Sequence, residues 1–202
     1  CRRPTRADVR SIWVGMRPLV KPQDDDGENT KKISREHTVM TSKSGLVTVT
    51  GGKWTTYRAM AEDVLKECFD QKLLPARAGG VTVNMPLVGS PKPEQVKHRM
   101  NAAQGEHIYG TEAPAVHSLR GADKMLADGL SEAMVRFAVR YEYARTVEDV
   151  LARRSRMLFL DARLAASVAP RVAEILQQEL PSGDPKLADF MSLTQQYLLS
   201  KA

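Results

Sequence analysis

The eight residues Gly-Gly-Lys-Trp-Thr-Thr-Tyr-Arg at positions 51–58 combine the residue types best suited to chemistry in this chain. Paired glycines let another molecule approach the backbone closely, because they carry no side chain. A helix that begins directly after them points unpaired N–H groups and a partial positive charge at that molecule. Such a turn suits a phosphate, or an electron-rich ring that gains negative charge. Taken alone, the motif fits an ordinary strand-to-helix turn capped by glycine equally well.

The sequence on either side of this turn predicts the elements that would position it. Residues 37–42 and 46–50 are rich in Val and Thr, and the Lys-Ser-Gly at positions 43–45 is typical of a hairpin turn. After Gly52 the apolar residues follow helical spacing, from Met60 to Cys68. The turn is therefore expected to connect a β-hairpin to a helix.

The remainder of the chain is predicted to be mainly helical. Residues 11–14 form a short apolar run that is expected to be a strand, and residues 81–83 are expected to be a short strand or an extended linker. From Ser90 onward, prolines, polar caps and apolar spacing predict helices almost exclusively. The first three of these helices are expected at residues 91–103, 112–119 and 131–143. A fourth is expected after the T-x-x-D signal of Thr146 and Asp149, and a last one after Asp184-Pro185. Between them, a helix is expected at residues 168–176, where Pro170 either kinks the helix or begins it.

These elements predict an α+β fold that is mostly α. Residues 1–80 are assigned a short antiparallel β segment with one helix, and residues 81–202 an α-helical C-terminal domain. We expect the helical part, from about residue 85 onward, to fold by itself. The strands of the first part are expected to need partners from outside this sequence, because unpaired strand edges tend to aggregate.

Composition and charge narrow the classes of function. The chain has 202 residues, a net charge of +6 and a pI of about 9.4, but its basic residues are dispersed and only 5% of residues are aromatic. No zinc-type Cys/His spacing and no interleaving of basic with aromatic residues is present, which disfavours nucleic-acid binding. Two cysteines, Cys1 and Cys68, favour a reducing compartment over a disulfide framework. The chain starts with Cys rather than Met, so we expect it to be processed or to be part of a longer protein.

Three motifs in the first part of the chain stand in a specific order: Gly15-Met16-Arg17-Pro18-Leu19-Val20, Ile33-Ser34-Arg35-Glu36-His37 and the run at positions 51–58. Together they resemble the C-terminal part of the FAD-dependent glycerol-3-phosphate dehydrogenases, the respiratory enzymes that reduce quinone. Residues 142–156 and 161–178 are similar to the helical C-terminal domain of that family. The resemblance extends from about Pro4 to Leu199.

The resemblance implies oxidation of glycerol 3-phosphate to dihydroxyacetone phosphate, with hydride transfer to FAD and electrons passed to quinone. It assigns the flavin contact to the turn, through backbone N–H groups and the Thr55 hydroxyl. Donors fixed at a helix start would stabilise the negative charge of the reduced flavin. The cofactor-binding residues implied in this way are Gly51, Gly52, Lys53, Trp54 and Thr55.

The resemblance also implies that Arg17, Arg35 and Lys53 bind the substrate. A guanidinium group can bind two phosphate oxygens at once, and Pro18 stiffens the chain directly after Arg17. Lys53 could reach either the flavin or the substrate phosphate. For both arginines, a solvated surface position is the alternative.

No residue of the chain is assigned as the catalytic base. His37 suits proton abstraction near neutral pH, but its place at the start of a hairpin strand favours a hydrogen-bonded structural histidine. His98, His107 and His117 show no metal spacing, so no metal site is predicted. The basic cluster at positions 153–156 is expected to complement a helix C-terminus rather than to bind a lipid headgroup.

The G-x-G-x-x-G fingerprint of the family's N-terminal FAD-binding region does not occur in this sequence. We therefore expect the N-terminal half of the enzyme, with the candidate base, to be missing here, and the fragment alone to be inactive. The implied partners are glycerol 3-phosphate, quinone and a respiratory membrane to which the enzyme is peripheral, and a homodimer is left open. The implied location is the cytoplasmic side of a bacterial inner membrane, or the mitochondrial inner membrane in a eukaryote.

Two other classes of function remain open at this stage. The first is a non-catalytic helical interaction module with an enzyme-like sequence. The second is a basic module that binds nucleic acid or an anionic membrane surface, which would require a steep salt dependence of its affinity.

Overall fold

A computed structural model describes residues 3–16, 36–77, 79–99 and 102–199. The chain divides into two compact units, one of Cys1–Val14 with Leu87–Ala202 and one of Gly15–Pro86. We call them the helical unit and the hairpin unit. The described residues are mainly helical, and their strands form two antiparallel sheets of two strands each. The predicted fold class, mostly α with a small β part, is confirmed. The division into residues 1–80 and 81–202 stays a prediction.

The hairpin unit contains the β-hairpin and the helix that the sequence predicts. Strands β1 (His37–Thr41) and β2 (Val47–Gly51) are antiparallel, with His37 opposite Gly51 at one end of the ladder and Thr41 opposite Val47 at the other. A short 3-10 turn, Trp54–Thr56, leads into helix α1 (Tyr57–Asp70). Alternate residues of β1 are partly buried. Strand alternation therefore gives β1 one face that packs inward and one that faces outward.

The prediction of a strand or an extended linker at residues 81–83 is wrong. Val81–Val83 is a 3-10 turn that begins after Gly80, whose φ of +82° lies in the left-handed region. The Val83 N–H donates to the Gly80 carbonyl at 3.3 Å, which closes the turn. β-Branched residues favour strands only where a partner strand is available, and no described strand pairs with this segment.

The helical unit is a bundle of helices around one apolar core. Its fully buried side chains include Val135, Leu151, Ile175 and Phe190, each no more than 1% exposed. A small antiparallel hairpin, which the sequence did not predict, lies beside the bundle. The elements in chain order are α2 (Ala113–His117), β3 (Met125–Ala127), β4 (Leu130–Ser131), α3 (Glu132–Tyr141), a π-helical turn (Asp149–Arg154), α4 (Met157–Leu160), α5 (Ala162–Glu179) and α6 (Leu187–Gln196).

Polar caps fix where several of these helices begin. The Thr146 hydroxyl accepts a hydrogen bond from the Asp149 N–H at 3.2 Å, and the Asp149 carboxylate accepts one from the Thr146 N–H at 2.9 Å. This reciprocal pair confirms the capping signal expected at these two residues. Asp161 caps α5 by accepting from the Leu164 N–H at 3.0 Å. Because α5 begins at Ala162 and contains Pro170 in its interior, the alternative that Pro170 begins the helix is wrong.

The strand predicted at residues 11–14 is not formed. This segment instead follows the surface of the helical unit, where its polar groups find other partners. The Ile12 N–H donates to the Tyr197 carbonyl at 2.8 Å, and the Ser11 hydroxyl donates to the Leu158 carbonyl at 2.9 Å. Trp13 packs edge-on against Phe159, with ring centroids 5.4 Å apart.

The helix predicted at residues 91–103 is also wrong, since its described part contains only the 3-10 turn Pro93–Gln95. The Lys92 N–H is bonded to the Gln95 side chain at 2.9 Å, and two prolines close together remove further backbone donors. Glu106–Glu112 forms a further 3-10 run that the sequence did not predict. Among the described residues, no helix combines the length and apolar character needed to cross a bilayer.

Candidate functional site

The turn between β2 and α1 is built on two glycines in the left-handed region of backbone conformation. Gly51 has a φ of +76° and Gly52 a φ of +85°. A Cβ atom added to Gly51 would lie 2.7 Å from the Glu36 carbonyl oxygen, and one added to Gly52 would lie 2.6 Å from the Met60 sulfur. Both positions therefore require glycine, because of their conformation and because the protein itself fills the space of a side chain.

Three consecutive backbone N–H groups follow the glycines without an acceptor among the described residues. They belong to Lys53, Trp54 and Thr55. The Lys53 carbonyl is occupied, since it accepts bonds from the N–H and the hydroxyl of Thr56, both at 3.0 Å. The turn therefore presents a row of donors at the entry to α1, where the helix dipole adds partial positive charge.

The side chains of the turn point to solvent. Trp54 is 87% exposed, and its ring lies 5.6 Å from the ring of Tyr57 at a tilt of 31°. Lys53 is exposed, and no described carboxylate forms an ion pair with its ammonium group. The turn thus offers backbone donors, one positive charge and an aromatic surface.

Two hydrogen bonds tie β1 to α1 beneath this turn. The His37 Nε2 lies 2.7 Å from the Asp63 carboxylate, and the Thr41 hydroxyl donates to the Glu67 carboxylate at 2.8 Å. The hydrogen-bonded histidine expected at position 37 is found. Its partner Asp63 was not predicted, although Asp63 lies three residues after Met60 and hence on the same helix face.

The structure brings together the cofactor-binding residues predicted at positions 51–55, since they form one continuous turn. Arg17 and Arg35, predicted to bind the substrate phosphate, lie outside the described residues. Lys53 is the described member of that group. The roles of all three in substrate binding stay predictions, as do the flavin contacts of the turn.

No group of His, Cys, Asp and Glu side chains among the described residues is arranged to hold a metal ion. The rings of His98 and His107 stack with centroids 4.2 Å apart. His117 lies 3.2 Å from the Glu106 carboxylate through its Nδ1 atom. These histidines therefore have structural neighbours within the helical unit.

Two of the three arginines in the basic cluster at positions 153–156 lie close to carboxylates of neighbouring residues. Arg153 forms ion pairs with Glu148 at 2.6 Å and with Asp149 at 2.7 Å, and Arg154 lies 3.6 Å from the Glu142 carboxylate. Burial raises the pKa of Glu142, with Arg154 acting in the opposite direction and Glu112 reinforcing the rise. The contacts of Arg154 with Glu142 hold the π-helical turn against the end of α3.

A second polar cluster joins α3 to α5 inside the helical unit. The buried Arg136 donates to Glu179 at 2.6 Å and Arg140 donates to the same carboxylate at 2.7 Å. The hydrogen bond from Arg140 is the main cause of a lowered pKa at Glu179, which burial opposes and Arg136 reinforces. Glu132 accepts two hydrogen bonds from Arg171, at 2.7 and 2.9 Å. The cluster is internally satisfied, so it serves the fold rather than a ligand.

Comparisons with known proteins agree with the resemblance seen in the sequence. Residues 51–184 match the family model described as the C-terminal domain of alpha-glycerophosphate oxidase. A probable mitochondrial glycerol-3-phosphate dehydrogenase of Dictyostelium discoideum is 33% identical, over 96% of this chain and 33% of its own length.

Two further relatives show the same pattern. The mitochondrial glycerol-3-phosphate dehydrogenase SDP6 of Arabidopsis thaliana is 37% identical over 86% of this chain and 32% of its own length. The mitochondrial glycerol-3-phosphate dehydrogenase of Homo sapiens is 31% identical over 96% of this chain and 29% of its own length. The chain therefore spans about a third of the length of these relatives, and the match is to their C-terminal portion.

Proposed function

This chain belongs to the family of the C-terminal domain of alpha-glycerophosphate oxidase, and we propose that it forms the C-terminal part of a glycerol-3-phosphate dehydrogenase. The complete enzyme would oxidise glycerol 3-phosphate to dihydroxyacetone phosphate and pass the electrons through FAD to quinone. The relatives named above are glycerol-3-phosphate dehydrogenases, which supports the reaction and the substrate.

The observation that carries the proposal is the turn at positions 51–55. It combines two left-handed glycines with three consecutive N–H groups that no described residue accepts. This donor set fits the pyrimidine edge of a flavin, because negative charge gathers there on reduction and fixed N–H dipoles stabilise it without reorganising. When bound, the flavin would supply the hydride-accepting chemistry, and the turn would hold and orient the ring.

The substrate phosphate would be bound by Arg17, Arg35 and Lys53. Each guanidinium group matches two phosphate oxygens, whereas the lysine ammonium acts as a single charge that moves on a flexible chain. The exposure of Lys53 and its lack of a described ion-pair partner support a role toward an anion. Lys53 would thus stand between the flavin site and the phosphate site.

The enzyme would act in a respiratory membrane environment. The relatives are named mitochondrial, which supports a mitochondrial location in a eukaryote. Within the mitochondrion, the proposed place is the inner membrane. The corresponding place in a bacterium is the cytoplasmic side of the inner membrane. The enzyme would be peripheral to that membrane, where quinone is available.

The test compares two glycine variants of the full-length dehydrogenase. Gly52→Ala strains the backbone at the proposed flavin contact and crowds Met60. Gly45→Ala strains a backbone of the same φ, +85°, in the turn between β1 and β2. We expect Gly52→Ala to weaken flavin binding and change the visible absorption of the bound flavin, and Gly45→Ala to affect neither. A folded Gly52→Ala protein that binds flavin like the wild type would overturn the proposal.

A second experiment tests whether the 202-residue chain acts alone. The purified chain with added FAD is expected to give no turnover of glycerol 3-phosphate, because it spans only about a third of the length of the relatives. Reduction of a dye acceptor that depends on both FAD and glycerol 3-phosphate would contradict this expectation.

A further inference from the structure

His37 connects β1 to α1 directly beside the glycine pair. Its Nε2 lies 2.7 Å from the Asp63 carboxylate, and its side chain is 22% exposed whereas that of Asp63 is 54% exposed. An ionised carboxylate can only accept hydrogen bonds, so the imidazole donates through Nε2–H. The ring of His37 is therefore held in one orientation by a residue in the second turn of α1.

The backbone of Gly52 lies close both to His37 of β1 and to Met60 of α1. A Cβ atom added to Gly52 would be 3.1 Å from the His37 Cβ and 2.6 Å from the Met60 sulfur, so both side chains lie close to this backbone position. His37 also faces Gly51 in the strand register. The separation of β1 from α1 at this point therefore fixes the space in which the turn must lie.

We infer that His37 and Asp63 are positioning residues, whose hydrogen bond sets the separation of β1 and α1 across Gly52 and thereby aims the N–H groups of Lys53, Trp54 and Thr55. The inference rests on the proposed flavin site at this turn. Misplacing catalytic or binding groups by about 1 Å can cost about a hundredfold in rate. A single hydrogen bond outside the reacting groups can therefore have a large effect on the reaction.

The second strand-to-helix hydrogen bond supplies a matched control. Thr41 donates to Glu67 at 2.8 Å, from the same face of β1 to a residue one turn further along α1. Thr41 lies at the end of the ladder opposite to the glycines. Removing this bond should weaken the contact of strand and helix without moving the turn.

The experiment uses four variants of the full-length, flavin-loaded dehydrogenase: His37→Leu, His37→Gln, Thr41→Val and Gly52→Ala. Glutamine carries an amide N–H that can donate to Asp63 in place of Nε2–H, but it does not titrate. The readouts are hydrogen exchange of the peptide covering residues 51–57, the midpoint potential of the flavin, and kcat/KM for glycerol 3-phosphate.

We expect His37→Leu to speed exchange in that peptide, to lower the flavin potential and to reduce kcat/KM by about ten- to a hundredfold. His37→Gln should restore most of all three values. Thr41→Val should lower thermal stability while leaving the exchange of residues 51–57 and the flavin potential unchanged.

Three outcomes would count against these assignments in different ways. Equal effects of His37→Leu and Thr41→Val on exchange and potential would show a general contribution to stability and overturn the inference. Loss of activity in His37→Gln as severe as in His37→Leu, with normal exchange and potential, would make His37 a proton-transferring group and also overturn it. A normal flavin in Gly52→Ala would instead reject the flavin site itself, whatever the result at His37.

Discussion

The helical unit and the hairpin unit are stabilised in different ways. Every fully buried residue in the described parts of the chain lies in the helical unit, and none lies in the hairpin unit. In the hairpin unit, Trp54 is 87% exposed, Val81 79% and Leu46 66%. One unit therefore has an apolar core of its own, whereas the other holds its strands and helix together with partly buried contacts and two polar ties.

This difference in burial indicates how strongly the geometry of each unit depends on individual local contacts. A unit with a closed core keeps its shape independently of its neighbours, because hydrophobic burial is the main favourable contribution to folding. A unit without such a core keeps its conformation through partly buried contacts and individual hydrogen bonds, so it opens more easily. The turn at positions 51–55 lies in the second kind of unit, so its geometry is more sensitive to local hydrogen bonds such as that of His37 with Asp63.

Hydrogen exchange of the 202-residue chain should show the largest difference between the units. Amides in the middle of α5 should exchange at least about a hundredfold more slowly than those of β1 and β2, because opening α5 requires disruption of the core. The measurement is exchange followed by mass spectrometry on the monomeric chain. Equal protection of the hairpin and α5 would remove the distinction between the units.

Truncation of an apolar side chain should show the next largest difference between the units, measured as the loss in the free energy of unfolding. Phe190→Ala, at a position 1% exposed, is expected to lower the free energy of unfolding by about 3–5 kcal/mol. Leu46→Ala in the hairpin unit should change it by less than about 0.5 kcal/mol. Urea denaturation followed by circular dichroism measures both values. A cost at Leu46 comparable with that at Phe190 would reveal a core in the hairpin unit.

The ion cluster of the helical unit should make its stability depend on pH. The pKa of Glu179 is lowered from its ordinary value of 4.5, mainly by the hydrogen bond from Arg140. A lowered pKa means that the folded state binds the proton less tightly than the unfolded state does. The stabilisation is therefore present above pH 4.5 and is lost as the pH falls through the lower pKa of the folded state.

Glu179→Gln should test this pH dependence. It is expected to cost about 1.5–3 kcal/mol at pH 7, because charge-assisted hydrogen bonds are lost, and less at pH 3. The control is Glu174→Gln on the same helix, whose carboxylate belongs to a side chain 61% exposed and should contribute little. Denaturation curves at the two pH values provide the comparison, and a pH-independent cost would contradict the ionic origin.

Removal of a helix N-cap side chain should give the smallest difference in stability loss between the two units. Ser131 caps α3 by accepting from the Met134 N–H at 3.2 Å, whereas the Thr56 side chain at the start of α1 makes no such bond. Ser131→Ala should cost about 1 kcal/mol and Thr56→Ala only a few tenths. Thermal unfolding of both variants checks the order, and an equal cost would indicate that the Thr56 hydroxyl stabilises α1 in another way.

Local signals in the sequence were sufficient for much of the fold. Alternating Val and Thr around Lys43-Ser44-Gly45 predicted the hairpin, and apolar spacing from Met60 to Cys68 predicted α1. Both patterns arise within a few residues of each other, so they do not depend on distant parts of the chain. The T-x-x-D cap at Thr146 succeeded for the same reason.

The predictions that failed had both distant and local causes. Residues 11–14 have the composition of a strand, yet the Ile12 N–H donates to the distant Tyr197 carbonyl, and the Ser11 hydroxyl forms hydrogen bonds with Leu158 and Ala162. Residues 81–83 have β-branched side chains but follow a left-handed glycine. Intrinsic preference is a weak guide where tertiary contacts decide the conformation.

In the candidate site, features formed by neighbouring residues could be read from the sequence, whereas contacts between residues far apart in the chain could not. The glycine pair and the three N–H groups after it form one turn, because they follow one another in sequence, and their role in binding stays a prediction. Asp63 was not recognised as the partner of His37, since the two are separated by β2 and the start of α1. Arg17 and Arg35 lie outside the described residues, so their role in substrate binding stays a prediction.

The N-terminal segment makes the helical unit discontinuous in sequence. Residues 3–14 belong with residues 87–199, so the hairpin unit is an insertion within the sequence of the helical unit. In polymer terms it is one closed loop, and halving the length of such a loop changes the closure free energy by only about 0.6 kcal/mol. The helical unit should therefore tolerate large changes in the length of the insertion. A shortened chain that begins at residue 87 would instead lose the Ser11 hydroxyl that accepts from the Ala162 N–H at 2.7 Å, and with it an anchor at the start of α5.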